Sequence, residues 1–226
     1  MRSAGLDLVK WLAILTMVAD HLRYLWPTAD GLFVVGRLAF PLFCLAIAVN
    51  VGRGGSGARY LGWMLVFTVL SEAPYRWLDP GSQTFSVMPT LTLGVLVAWG
   101  VQSPSWLVRL AGLGAALLAT LYSTQLMYGV PGVLLPAALL IARGRGGVCW
   151  LLPALLAMAG NLTNSWLREH LLAPFTLLVL ASAVLSIALG AWLLRQNHRP
   201  VPAVGRWGYA FYPLHLLAIK ALQAFG

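Results

Sequence analysis

Lys10 and His21 stand in a stretch, LVKWLAILTMVADHLRYLW (8–26), that is otherwise apolar enough to be a membrane helix. A charge at bilayer depth costs roughly 2.5–3.5 kcal/mol on insertion scales, so an ionisable residue there is a functional hypothesis by default. The two are eleven residues apart. On a helix that spacing leaves them within about 20° of each other and roughly 16 Å apart along the axis. One face thus carries a cation near one end and an imidazole in the other half, with Asp7 and Met17 close to the same stripe. An imidazole accepts a proton near neutral pH, and a neighbouring carboxylate can hold its tautomer and stabilise the imidazolium. Asp20 is adjacent to His21 but points about 100° away, so Glu72 and Asp7 are rival partners. The plainer reading has Lys10 snorkelling and His21 as an interfacial residue beside Tyr24 and Trp26.

Other polar residues lie in apolar surroundings. Arg37, in GRLAFPLF (36–43), precedes Pro41, which frees a backbone carbonyl tolerated where it is buried in protein or faces a cavity. Arg37 either snorkels to the headgroups or faces the same cavity as His21. Glu72 is placed to pair with one of these cations, in a structural or an active-site role. Tyr212, Pro213 and His215 fall within the last apolar segment, where a lone histidine is either a packing residue or a cavity residue. Arg109 also counts as intramembrane, Lys220 is read as snorkelling outwards, and His170 and His198 lie in loops. GRGGSGAR (52–59) lacks the strand-to-helix context of a nucleotide loop. With Arg53 and Arg59, and with Arg143 beyond it, it could still hold the phosphates of an acyl donor.

The elements that position these residues are membrane helices. The 226 residues are 60% hydrophobic and 9% charged, with a mean hydropathy of +0.81, whereas soluble domains carry about 25% charged residues. Stretches free of Asp, Glu, Lys and Arg run over 38–52, 80–108, 110–142, 146–167 and 171–194. About 20 apolar residues cross a bilayer, so the sequence reads as an all-α polytopic transmembrane bundle, one domain over 1–226. The run 110–142 is too long for one span and divides at the turn Tyr128–Gly132. Nine spans result, near 7–26, 31–51, 59–78, 86–102, 105–122, 127–142, 147–164, 171–194 and 204–224. With the N-terminus cytoplasmic, the inner segments hold Arg2, Arg53, Arg59, Arg143, Arg145, Arg195, Arg199 and Arg206. The outer ones hold Arg23, Arg76 and Arg168, which the positive-inside rule favours. The net charge of +9 is spread between apolar spans rather than clustered, which argues for topology over nucleic acid. The first span reads as retained rather than a cleaved signal. Cys44 and Cys149 sit in apolar stretches and read as buried thiols.

The segments DLVKWLAILTMVADH (7–21), GRLAFPLF (36–43), LSEAPYRW (70–77), TLTLGVL (90–96) and FYPLHLL (211–217) resemble the TraX-type pilin acetylation family, within the acyltransferase-3-like membrane acyltransferases. That superfamily carries a basic residue ahead of a histidine on its first helix; here Lys10 replaces the more usual Arg. The chain departs from the family at Ser86 and Pro89, where an Asn often precedes TLTLG, a change that bears on substrate more than fold. The resemblance implies a bacterial inner-membrane enzyme that moves acetyl from cytoplasmic acetyl-CoA, without a metal, to the N-terminal amine of a pilin subunit. It implies His21 as catalytic base and Lys10 as support for the donor or the active-site charge. Asp20 or Glu72 would assist, and Arg37 would stabilise the oxyanion. Other readings are O-acetylation of an envelope glycan or lipid, a transporter or flippase (which usually shows internal repeats, not evident here), and a non-catalytic pilus-assembly protein.

Overall fold

Ser3 starts the first helix: its hydroxyl accepts from the Leu6 N–H at 3.4 Å, with Asp7 in the first turn where the helix dipole favours an acid. The computed structural model describes residues 3–54, 57–196 and 201–224. Arg2, His198 and Arg199 of the sequence reading lie outside them. Among the described residues the chain is all-helical. Its helices are α1 (Ala4–Leu22), α2 (Asp30–Gly36), α3 (Ala39–Gly52), α4 (Gly57–Leu78), α5 (Val87–Gln102), α6 (Trp106–Leu121), α7 (Gly129–Arg145), α8 (Leu151–Asn161, after a 3-10 turn), α9 (Ser165–Glu169), α10 (Pro174–Leu193) and α11 (Trp207–Gln223).

The chain passes back and forth between two ends. At one end Lys10 and Trp11 donate to the Val204 and Pro202 carbonyls, and Gln102 to that of Gly52. At the other, Tyr24 donates to Asp79, Gln223 to the Tyr24 carbonyl, and Phe85 to that of Gln125. The first end gathers Arg53, Arg59, Arg143, Arg145, Arg195 and Arg206; the second holds Asp30, Asp79 and Glu169 beside Arg23, Arg76 and Arg168. The buried α3 lies at the centre, against α1, α5, α7 and α10. Small residues set the spacing elsewhere: a Cβ on Gly100 would stand 3.0 Å from the Gly112 Cα, so α5 and α6 touch backbone to backbone.

Two helical runs among the described residues are long and apolar enough to cross a membrane by themselves, Asp30–Gly52 and Pro174–Leu193. Val87–Gln102, Trp106–Leu121 and Gly147–Asn161 are apolar but shorter. A 16-residue helix such as α6 rises about 24 Å against a hydrocarbon core of about 30 Å. Large apolar side chains face outwards on α4, α6, α8 and α10, among them Val69, Leu113, Leu155 and Leu185. Exposed apolar surface of this extent needs a lipid or protein cover.

Several boundaries differ from the sequence expectation. The second span is interrupted at Arg37–Leu38 rather than continuous over 31–51, and Pro41 sits in the first turn of α3, where a missing N–H costs little. The turn before α7 precedes Gly129 instead of occupying 128–132. Span 147–164 ends at Asn161, and the stretch read as a loop forms the short α9. Arg109 belongs to the basic end, not to the interior: it is exposed in the first turn of α6 and donates to the Ser103 carbonyl at 2.9 Å. Cys44 and Cys149 are both free.

Candidate functional site

The stripe on α1 packs against α11 and the segment leading into it. At the basic end the Lys10 ammonium donates to the Val204 carbonyl at 3.1 Å, while the Asp7 carboxylate accepts from the Val204 N–H at 3.1 Å. A cation and an anion one turn apart thus clamp the backbone of one residue just ahead of α11. At the other end, His21 Nδ1 lies 2.9 Å from His215 Nε2.

The surroundings of this histidine pair assign its protons. His215 Nδ1 lies 3.0 Å from the Phe211 carbonyl, which can only accept, so that nitrogen carries the proton. With both rings neutral, His215 Nε2 is then an acceptor and His21 Nδ1 the donor. His21 Nε2 is left with a bare lone pair. His215 therefore supplies the orientation that a carboxylate was expected to supply.

Asp20 faces another partner. Its carboxylate accepts from Arg37 Nη2 at 2.6 Å, with Arg23 at 3.9 Å, and a Cβ on Gly36 would overlap it, so only glycine lets α2 approach so closely. Arg37 also donates to the Tyr128 hydroxyl at 3.1 Å and to the Phe33 carbonyl at 3.3 Å, and lies over the Phe33 ring at 4.1 Å. It is turned inwards rather than snorkelling. Glu72 does not join these groups. It accepts from Arg76 at 2.8 Å and from the Ser86 N–H at 3.0 Å, because an arginine one turn along its own helix is nearer than any cation on α1 or α2.

Two cavities meet in this region. One, of about 130 Å³, is lined at the basic end by Lys10, Asn50, Tyr60, Gly205 and Gly208 and continues inwards along Ile14, Met64 and Leu91. The other, a chamber of about 40 Å³, is lined by Asp20, His21, Gly36, Phe40, Met127 and Tyr128. Met17, Phe43, Val87 and Tyr212 line both cavities and stand between them. Tyr212 thus stands beside the histidines, its ring 6.2 Å from His21 and 5.5 Å from His215. Arg37 does not line the chamber; it stands behind Asp20 and Tyr128. Beyond the last turn of α1, a vestibule of about 550 Å³ is bordered by Arg23, Tyr24, Phe33, Asp79, Trp166 and Phe175. Arg53, Arg59 and Arg143 are exposed at the basic end, with Arg53 near enough to both Lys10 and Arg143 to interact electrostatically.

The sequence profile of the TraX protein family matches residues 5–223. The chain belongs to the TraX family. It is 26% identical to the probable fimbrial assembly protein FimC, serogroup H1, of Dichelobacter nodosus, over 96% of this chain and 95% of that one. It is 29% identical to Protein TraX of Escherichia coli, over 70% of this chain and 66% of that one. No solved structure matches. The family match and the apolar helices are those of a membrane protein.

Two features of this TraX-family site escape a reading of the sequence, the partner of His215 and the role of Tyr128. His215 is visible as a polar residue in an apolar helix, but its bond to His21 joins positions 194 residues apart. Tyr128 gives no signal beyond an aromatic residue before a Gly-Val-Pro-Gly run, yet it lines the chamber beside His21.

Proposed function

We propose that this TraX-family protein is a membrane-embedded acetyltransferase using acetyl-CoA as donor. The observation that carries the reading is the pair of adjoining cavities, which lead from the arginine-rich end to the histidine whose Nε2 is a bare base. Arg53, Arg59 and Arg143 offer the CoA phosphates charge-assisted hydrogen bonds. The pantetheine arm enters past Lys10, Asn50 and Tyr60, and the thioester reaches His21 by passing between Met17, Phe43, Val87 and Tyr212. Lys10 serves chiefly by holding Val204, and through it the start of α11, against α1.

The acceptor approaches from the opposite side, through the vestibule beside Arg23 and Tyr24. Its attacking atom adds to the thioester carbonyl while His21 Nε2 takes its proton. Collapse then expels the thiolate, to which the same proton passes. The name of one relative, a probable fimbrial assembly protein, supports an acceptor in a pilus, and a peptide N-terminal amine fits a histidine base well. Its pKa of about 7.7–8.0 leaves a usable neutral fraction at neutral pH.

The nine passes are read as crossings of the bacterial inner membrane, the shorter helices reaching the interfaces through their flanking turns. The basic end then lies in the cytoplasm, where positive-inside asymmetry puts it. The other end lies outside.

Purified protein in detergent, given labelled acetyl-CoA and a peptide with a pilin N-terminus, should transfer label to the peptide. His21→Ala should not. Mass spectrometry of envelopes with and without the gene identifies the acceptor. Acetyl lost from a protein N-terminus supports the amine, acetyl lost from a glycan or lipid moves the reaction to a hydroxyl, and no loss anywhere contradicts the proposal.

A further inference from the structure

Tyr128 has three properties that packing alone does not require together. Its backbone lies in the left-handed region, φ 66° and ψ 3°, and it is the non-glycine residue with positive φ among those described. For a bulky aromatic this is an outlier that persists only where its surroundings over-determine it. Here they do. Thr90 donates to the Met127 carbonyl at 2.8 Å and the Gly132 N–H to the Tyr128 carbonyl at 3.0 Å. The ring stacks on Phe40 at 3.9 Å, and a Cβ on Gly132 would stand 2.6 Å from the Tyr128 Cβ.

The hydroxyl is also polarised. It accepts from Arg37 Nη1, so its own proton points elsewhere, and it donates no hydrogen bond among the described residues. A hydroxyl that accepts from a cation is a stronger donor in turn. Third, Tyr128 lines the chamber that also contains His21, whereas the guanidinium behind it does not. The Asp20 charge on the same wall is offset by Arg37 and Arg23.

We propose that Tyr128 is a catalytic residue, the hydrogen-bond donor to the thioester oxygen as that oxygen becomes an anion. This rests on the acyl-transfer reading. When the acceptor nitrogen bonds to the carbonyl carbon, the C=O π pair moves to oxygen and Tyr128 O–H donates to it without giving up its proton. The amine proton goes to His21 Nε2. As the C=O re-forms the C–S bond breaks, and the proton passes to the departing sulfur. The arginine first expected to meet the oxyanion acts through the tyrosine, as a positioning residue.

Tyr128→Phe keeps the ring on Phe40 and removes one oxygen. In the purified full-length protein it should lower kcat for acetyl transfer about 10²–10³-fold, with KM for acetyl-CoA changed less than about threefold. Arg37→Gln should lower kcat as well. A Tyr128→Phe enzyme with wild-type kcat, beside an inactive His21→Ala enzyme, overturns this inference and leaves acyl transfer standing. A fully active His21→Ala enzyme overturns His21 as the base, and a wild-type protein that transfers no acetyl overturns acyl transfer itself. Should Tyr128→Phe fold poorly, fluorinated tyrosines at 128 serve instead. Then kcat should follow the acidity of the hydroxyl, and an unchanged kcat overturns the proposal.

Discussion

Two arginine–carboxylate pairs lie towards the acidic end of the molecule, Arg37 with Asp20 and Arg76 with Glu72, at 2.6 and 2.8 Å. Their chemistry is nearly the same and their settings differ. In the first, the side chains are 12% and 17% exposed and come from different helices; in the second they are 41% and 28% exposed and lie one turn apart on α4. The buried pair has a third member, Tyr128, and through it a wall of the chamber beside His21. The outer pair fastens the 79–86 loop to α4, Arg76 donating to the Ser82 carbonyl and Glu72 accepting from the Ser86 N–H. Burial and company, not the ion pair itself, separate a site component from a staple.

That contrast can be broken from either side. Asp20→Ala has the largest expected effect on stability. It leaves Arg37 buried without its counter-charge, and removing one partner of a buried pair costs about 3–5 kcal/mol. Thermal unfolding in detergent should show a clear loss, and an unchanged melting temperature would contradict the pairing. Next comes the other support of the chamber, His215. His215→Phe should lower kcat about 10²-fold, because a general base that has lost its tautomer partner is a poor base. His215→Gln should recover most of that, since its amide oxygen can accept where Nε2 does. A Gln variant as poor as Phe would mean that His215 relays a proton rather than orienting its neighbour.

Gly132→Ala sharpens the comparison from within the buried group. The added methyl presses on Tyr128, and overpacking of this kind costs about 1–3 kcal/mol. Activity should fall further than the stability loss alone explains. Glu72→Gln should do least. A half-exposed i,i+4 pair contributes about 0.3–0.5 kcal/mol, and glutamine still accepts from Ser86, so kcat should stay near wild type.

The helices and the α1 stripe were legible in the sequence because both are periodic. Apolar runs between charged turns mark where each pass begins and ends within a few residues. The eleven-residue spacing of Lys10 and His21 does place both against α11 and its lead-in. The 100° offset of Asp20 was legible too, and it explains why Asp20 meets Arg37 and not His21. Partner choice was not. His21 and His215 meet only through the packing of α1 on α11, and no local pattern encodes that. Tyr128 stands in a left-handed backbone conformation that the Gly-Val-Pro-Gly run opening α7 does not announce. Glu72 does form the structural ion pair that the sequence left open, but with Arg76 one turn on rather than with a cation on α1 or α2.

The most direct measurement is acetyl transfer from labelled acetyl-CoA by purified wild-type, His21→Ala and Glu72→Ala proteins, side by side. The account predicts transfer by wild type and by Glu72→Ala, and none above the uncatalysed rate by His21→Ala. Equal transfer by wild type and His21→Ala, or loss in Glu72→Ala alone, would contradict it.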